Sequence, residues 1–301
     1  MTTTTRDRSI AGVLQAVETL EGEGFVVRRP FPVAGLEQID PFLLLDQMGP
    51  KELAPGEAKG APDHPHRGFE TVTYVLEGEL EHEDSVGNHG IIGAGDVQWM
   101  TAGAGVVHSE MPSRRLQAEG GRLHGFQLWV NLPREAKMRP PRYQEIAAAD
   151  IPVVRRPARA APSGAAEVTV RIIAGEVDGV AGAVETHTPI AYLHVTVPPG
   201  SSTTLPAPED RNAMVYVVSG VPVAGGQATA EAELVVFDRD GDGITLSVPA
   251  DAAATAEVLV LEGTPIGEPL VRYGPFVMNT KAEIIEAIED FQAGRMGAIT
   301  R

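Results

Sequence analysis

The chain has 301 residues, 43% of them hydrophobic and 22% charged, a make-up that excludes a disordered protein. At roughly 150 residues per domain its length predicts two domains, each able to bury its own core. The formal net charge of -17 repels phosphate backbones and argues against direct nucleic-acid binding, and the absence of cysteine excludes disulfides, thiolate metal sites and cysteine nucleophiles.

The first residues, MTTTTRDRSIAGVLQAV, contain no apolar run long enough for a secretory signal. No segment approaches the ~18 apolar residues of a membrane span, so a soluble, cytoplasmic protein is expected. Short Val-rich runs follow, among them Glu70 to Leu76, Gly125 to Val130, Tyr192 to Val197 and Met214 to Val218, with Gly and Pro between them. Strand after strand of this kind predicts an all-β sandwich or barrel. A domain boundary is expected near Pro133 to Pro141, just after the run LWVNLP, giving domains 1–137 and 138–301. Pro152 to Ala166 has no alternation and is a candidate surface linker.

TYVLEG at Thr73 to Gly78 can be laid on VYVVSG at Val215 to Gly220, an offset of 142 residues. Two copies of one β-barrel unit account for both the length and the strand-rich pattern. DRDGDG at Asp238 to Gly243 begins like a calcium loop, but Pro249 stands where the closing glutamate belongs. It is read as a β-turn with solvated carboxylates. Near the C-terminus, Thr280 can cap a short helix over 281–293, with Ile284, Ile285, Ile288 and Phe291 at helical spacing and Gly294 ending it.

The chemistry is concentrated in two segments. In DHPHRGFE, the residues His64, His66 and Glu70 are all even-numbered and would project from one face of an extended strand. In HSE, His108 and Glu110 repeat the i, i+2 arrangement. Two neighbouring strands offering such pairs make a four-ligand pocket inside a barrel. Three imidazoles and a carboxylate suit Fe(II), Mn(II), Ni(II), Cu(II) or Zn(II), with one or two positions left for water, substrate or dioxygen. His82, His89, His124, His187 and His194 have no such company and are expected to be ordinary surface or hydrogen-bonded core residues.

The runs APDHPHRGFETVTYVLEG, HEDSVGNHG, GDVQWMTAGAGVVHSEMP and HGFQLWVNLP strongly resemble the pirin family of the cupin superfamily. DPFLLLD at Asp40 to Asp46 and GPFVMNTKAEIIEAIEDFQAGRMG at Gly274 to Gly297 extend the resemblance to both ends of the chain. It implies two tandem cupin-type β-barrels, jelly-roll-like double-stranded β-helices, the first binding one Fe(II) through His64, His66, His108 and Glu110. In many other cupins the glutamate of the first motif, here Glu70, is a ligand instead. The offset of 142 puts Pro206, Pro208 and Asn212 at the places of His64, His66 and Glu70, and no histidine follows His194, so one metal per chain is expected.

The resemblance also implies quercetin 2,3-dioxygenase activity, the oxidative ring opening of a small planar aromatic substrate such as a flavonol. Glu110, or Glu70 in the alternative, would take the substrate's hydroxyl proton. Some members of the family are instead regulators, so the alternative is a redox-sensing protein that binds a transcription factor or a metabolic enzyme.

Overall fold

A computed structural model describes residues 5–157 and 167–301. They form two compact units, Val17–Ala148 with Ile266–Arg301, and the residues up to Ala16 with Ala149–Pro265. Both are antiparallel β-structures of the jelly-roll type expected for tandem cupin barrels.

The strand β1 (Ile10–Gln15) belongs to the second unit. The first unit begins with β2 (Val17–Glu21), β3 (Phe25–Phe31) and β4 (Phe42–Leu53). It continues with β5 (Ala61–His66), β6 (Phe69–Glu77), β7 (Leu80–Asp84) and β8 (His89–Ile92). Then come β9 (Val97–Thr101), β10 (Val106–Pro112), the short helix α1 (Arg114–Glu119), β11 (Gly121–Asn131) and β12 (Arg142–Ile146). A seven-stranded sheet runs β12-β9-β6-β11-β4-β3-β2 and a four-stranded sheet runs β5-β10-β7-β8. The two enclose a core in which Val27, Met48 and Val75 of the large sheet meet Leu80 and Ile92 of the small one.

The second unit repeats this order strand for strand. Its large sheet runs from β1 through Glu233–Phe237, Asn212–Ser219, Ala256–Gly263, Ile190–Val197 and Glu167–Ala174 to Val153–Pro157. Ser202–Pro206, Gly243–Ser247, Val223–Ala224 and Gln227–Ala228 make the small one. The repeat seen in the sequence corresponds to β6 and Asn212–Ser219, each the third strand of its sheet. Each runs into a glycine, Gly78 or Gly220, with the same φ of 82°. Core positions are dominated by Val, which fits a pleated sheet buried on one face.

The division of the chain differs from a cut at 137/138. β12 lies beyond that cut yet pairs with β9, Arg142 opposite Thr101. Val153–Pro157, at the start of the expected linker, is a strand paired with Glu167–Ala174; the rest of that linker, 158–166, falls outside the described residues. DRDGDG is also more than a solvated turn. Asp240 accepts hydrogen bonds from Ser9 N (2.9 Å) and Ser9 Oγ (2.6 Å), and Asp242 accepts one from Arg6 N at 2.6 Å. These carboxylates fasten the segment leading into β1.

The helix α2 (Lys281–Gln292) forms as expected, with a capping box between Thr280 and Glu283. It packs on the first barrel, not on the one that precedes it in sequence. Ile284 and Ala287 bury against Val107, Phe276, Met278 and Met296, whereas Ile285 and Phe291 are exposed. The buried Arg67 donates to Ala104 O (2.7 Å) and to Asp290 Oδ2 (2.6 Å), pinning α2 directly after β5.

Gly68 permits this docking. Its φ is 88°, and a Cβ there would stand 2.0 Å from Val277 O. The buried Lys137 completes the clamp, donating to Gly68 O (2.7 Å), Asn131 Oδ1 (2.6 Å) and Val277 O (3.1 Å). Lys137→Met would leave these acceptors without their donor. It is expected to lower stability by about 3 kcal/mol, read as a fall in the urea midpoint; an unchanged midpoint would show that the clamp adds nothing.

Candidate metal centre

β5 and β10 are antiparallel neighbours, and their register puts His108 opposite His64 and Val106 opposite His66. The three imidazoles gather at one point, with ring centroids 4.4 to 4.8 Å apart. His64 Nε2 lies 3.0 Å from His66 Nε2 and 2.9 Å from His108 Nε2. Pro62 O accepts from His64 Nδ1 at 2.8 Å, and Pro275 O accepts from His66 Nδ1 at 3.4 Å. A carbonyl can only accept, so in both rings the proton belongs on Nδ1 and the Nε2 lone pair faces the shared point. Burial, and then the neighbouring His64, hold His66 and His108 well below the usual imidazole pKa, which keeps both neutral.

Lone pairs aimed at one another at this range repel, and a cation between them makes the arrangement favourable. Two nitrogens bound ~2.1 Å from one ion at right angles stand about 3.0 Å apart, whereas tetrahedral angles would spread them to about 3.4 Å. The observed separations are close enough for one ion to bind all three rings, so this donor set fits a divalent transition metal.

The register slips between His108 and Glu110, which faces Ala61 on one side and His82 on the other. Glu110 Oε2 is 4.0 Å from His108 Nε2. Thr73 Oγ1 donates to Glu110 Oε1 (2.6 Å) and Gln127 Nε2 to Oε2 (3.3 Å), so the large sheet aims the carboxylate toward the histidines.

Glu70 stands elsewhere. Even-numbered spacing would put it on the same face as His64 and His66, but Arg67 and Gly68 end β5 and start β6 in the other sheet. Along β6, Glu70 has the opposite parity to Thr73 and so points from the opposite face. It is buried, its Oε1 accepts from Thr101 Oγ1 at 2.6 Å, and burial pushes its pKa up to about 7 despite that bond.

His82, expected to be an ordinary histidine, stands beside this cluster. It is fully buried, its ring centroid is 5.3 Å from that of His108, and its ligand atoms group with those of His108 and Glu110 within 4.8 Å. Neither ring nitrogen has a hydrogen-bond partner among the described residues, Asp84 Oδ2 being 3.6 Å away. Its i, i+2 spacing to Asp84 on β7, the strand beside β10, was the one available signal. Among the described residues, all the His, Asp and Glu triples close enough to share an ion lie in the first barrel. The offset of 142 puts Pro206 and Pro208 of the second barrel at the places of His64 and His66.

His64 and His66 open onto a cavity of about 850 Å³ in the first unit. Leu44, Met48 and Leu80 supply apolar wall, and Gln127, Trp129 and Arg272 ring the histidines. Trp129 packs edge-on to His66, with centroids 5.1 Å apart.

Two jelly-roll barrels with a histidine cluster in one of them define a bicupin. Residues 24–130 match the Pirin family model, and residues 192–297 match that of the Pirin C-terminal cupin domain. Human Pirin is 40% identical over 93% of this chain and 91% of its own. A Pseudomonas aeruginosa protein provisionally named quercetin 2,3-dioxygenase is 45% identical, over 91% of this chain and 93% of its own. The crystal structure of a quercetin 2,3-dioxygenase from Acinetobacter baumannii superposes with a TM-score of 0.88 at 40% identity, covering 98% of this chain and all of that one. The chain belongs to the pirin family.

The folded-state pKa of Glu70 lies above the unfolded value, so its stabilising contribution is complete below about pH 4.5 and is lost as pH rises through about 7. Glu70→Gln keeps the acceptor for Thr101 and removes this penalty. In metal-free protein the variant is expected to match the parent at pH 4 and to exceed it by up to about 3 kcal/mol at pH 8. Denaturant midpoints at the two pH values check this, and parallel curves would refute it.

Proposed function

We propose that this protein is a metal-dependent dioxygenase of the quercetin 2,3-dioxygenase type. His64, His66, His108 and Glu110 would hold one Fe(II) in the first barrel, with the second barrel metal-free. The observation that carries the reading is the meeting of three imidazoles beside a cavity sized for an aromatic molecule. The enzyme names borne by the two bacterial relatives support the reaction. A divalent transition metal supplies Lewis acidity and redox access to dioxygen when bound in such a site.

The chain's own residues do the rest. The apolar walls and Trp129 hold a planar ring system and exclude water, fixing the substrate's orientation. Glu110, at the cavity edge and steadied by Thr73 and Gln127, takes the proton of the flavonol 3-hydroxyl. The Nδ1 bonds to Pro62 and Pro275 keep the imidazoles from turning as substrate enters. We place the protein in the cytoplasm, whose reducing conditions suit a chain without cysteine; no helix among the described residues is long and apolar enough to cross a membrane.

Iron-loaded protein is expected to consume dioxygen with quercetin, and His108→Ala to lose both stoichiometric metal and oxygen uptake. Glu110→Gln should lower kcat by roughly 10²-fold or more. Stoichiometric iron retained in His108→Ala would refute the ligand assignment. If no flavonol is turned over while affinity for a protein partner differs between ferrous and ferric forms, the regulatory reading replaces the enzymatic one.

A further inference from the structure

Arg272, in the cavity wall, has no ion-pair partner among the described residues. Arg272, from the hairpin Val271–Tyr273 with Phe276–Met278, lies with its guanidinium carbon 4.7 Å from the centre of the Trp129 ring. Nη1 makes one long hydrogen bond, 3.4 Å, to Leu43 O. A guanidinium carries five N–H donors, so most of its capacity is not taken up by the described protein groups. No carboxylate of the described residues forms an ion pair with it, because Arg29 takes both oxygens of Asp46 and also binds Glu21. Burial and the charge of Arg29 lower the Arg272 pKa, while Glu21, Asp46 and Glu37 oppose this only through space.

Holding a half-buried cation without a paired anion is unfavourable, and an anion delivered by a ligand would relieve that cost. The same Trp129 ring touches His66, so the anion would sit one aromatic ring away from the histidine cluster. The other basic groups on the cavity wall are placed differently: Lys51 is paired with Glu57 at 2.7 Å, and Lys59 is not stacked on an aromatic ring.

We infer that Arg272, laid over Trp129, is an anion-binding shelf, and that the cavity selects planar aromatic ligands bearing a carboxylate or an ionised phenol. For its reaction this inference rests on the dioxygenase reading, but binding can be tested apart from it.

The test uses metal-free full-length protein and a matched pair of probes, 2-naphthoate and the neutral 2-naphthamide, with affinities from titration calorimetry. The carboxylate should bind about tenfold tighter or more than the amide. Arg272→Gln should bring the carboxylate down to the affinity of the amide while leaving the amide within about twofold of its original value, which also reports an intact cavity. Equal affinities in the unaltered protein, no binding of either probe, or a preference that survives Arg272→Gln would each overturn the inference. The binding test needs no metal, so failed flavonol turnover would leave the anion shelf standing, and an absent anion preference would leave the dioxygenase reading to be decided by metal content and oxygen uptake of the unaltered protein.

Discussion

Imidazole nitrogens whose lone pairs share one point repel one another unless a cation joins them. The first barrel therefore has to hold His64, His66 and His108 against that repulsion by the stiffness of the surrounding backbone. Strand pairing between β5 and β10 supplies part of it, fixing His64 and His108 as cross-strand partners. Carbonyls of Pro62 and Pro275 supply another part, holding two rings in the tautomer that frees Nε2. The last part is the clamp formed by Arg67, Gly68 and Lys137, which ties the end of β5 to the C-terminal hairpin and α2.

Much of the site was legible because strands have a strict period of two. His64 with His66 is a pair at i, i+2 that survives folding, and His108 with Glu110 keeps this spacing against β7 although its register against β5 slips. The same rule failed for Glu70, because it holds only along one strand. The signal of the break was local: a glycine two residues before Glu70, in a positive-φ conformation that ends β5. His82 and Arg272 were illegible for a different reason. Each reaches the site through strand pairing or hairpin docking between segments far apart in sequence, and neither belongs to a short motif.

The fold class and the internal repeat were also legible, since Val-rich runs ending in glycine turns recur in both halves. The assignment of segments to barrels was not. Each barrel borrows its outermost strand or its covering helix from chain beyond the expected boundary, β12 and α2 in one and β1 in the other. Hydropathy shows that a strand or helix exists but carries no information about which of two similar barrels receives it. The carboxylates of Asp240 and Asp242 show how specific that choice is, since they meet main-chain and side-chain donors of residues more than 200 positions away.

This exchange of segments sets an order of events during synthesis. Barrels generally fold as they leave the ribosome, N-terminal parts first. Here the histidine-bearing strands emerge early, yet Pro275, whose carbonyl orients His66, and Asp290, which anchors Arg67, follow only after nearly all of the second barrel has been made. For that interval the nascent first barrel has its imidazoles without the carbonyl that sets the tautomer of one of them. The surroundings of the histidine cluster are thus completed late in maturation, only after the other half of the protein has been translated.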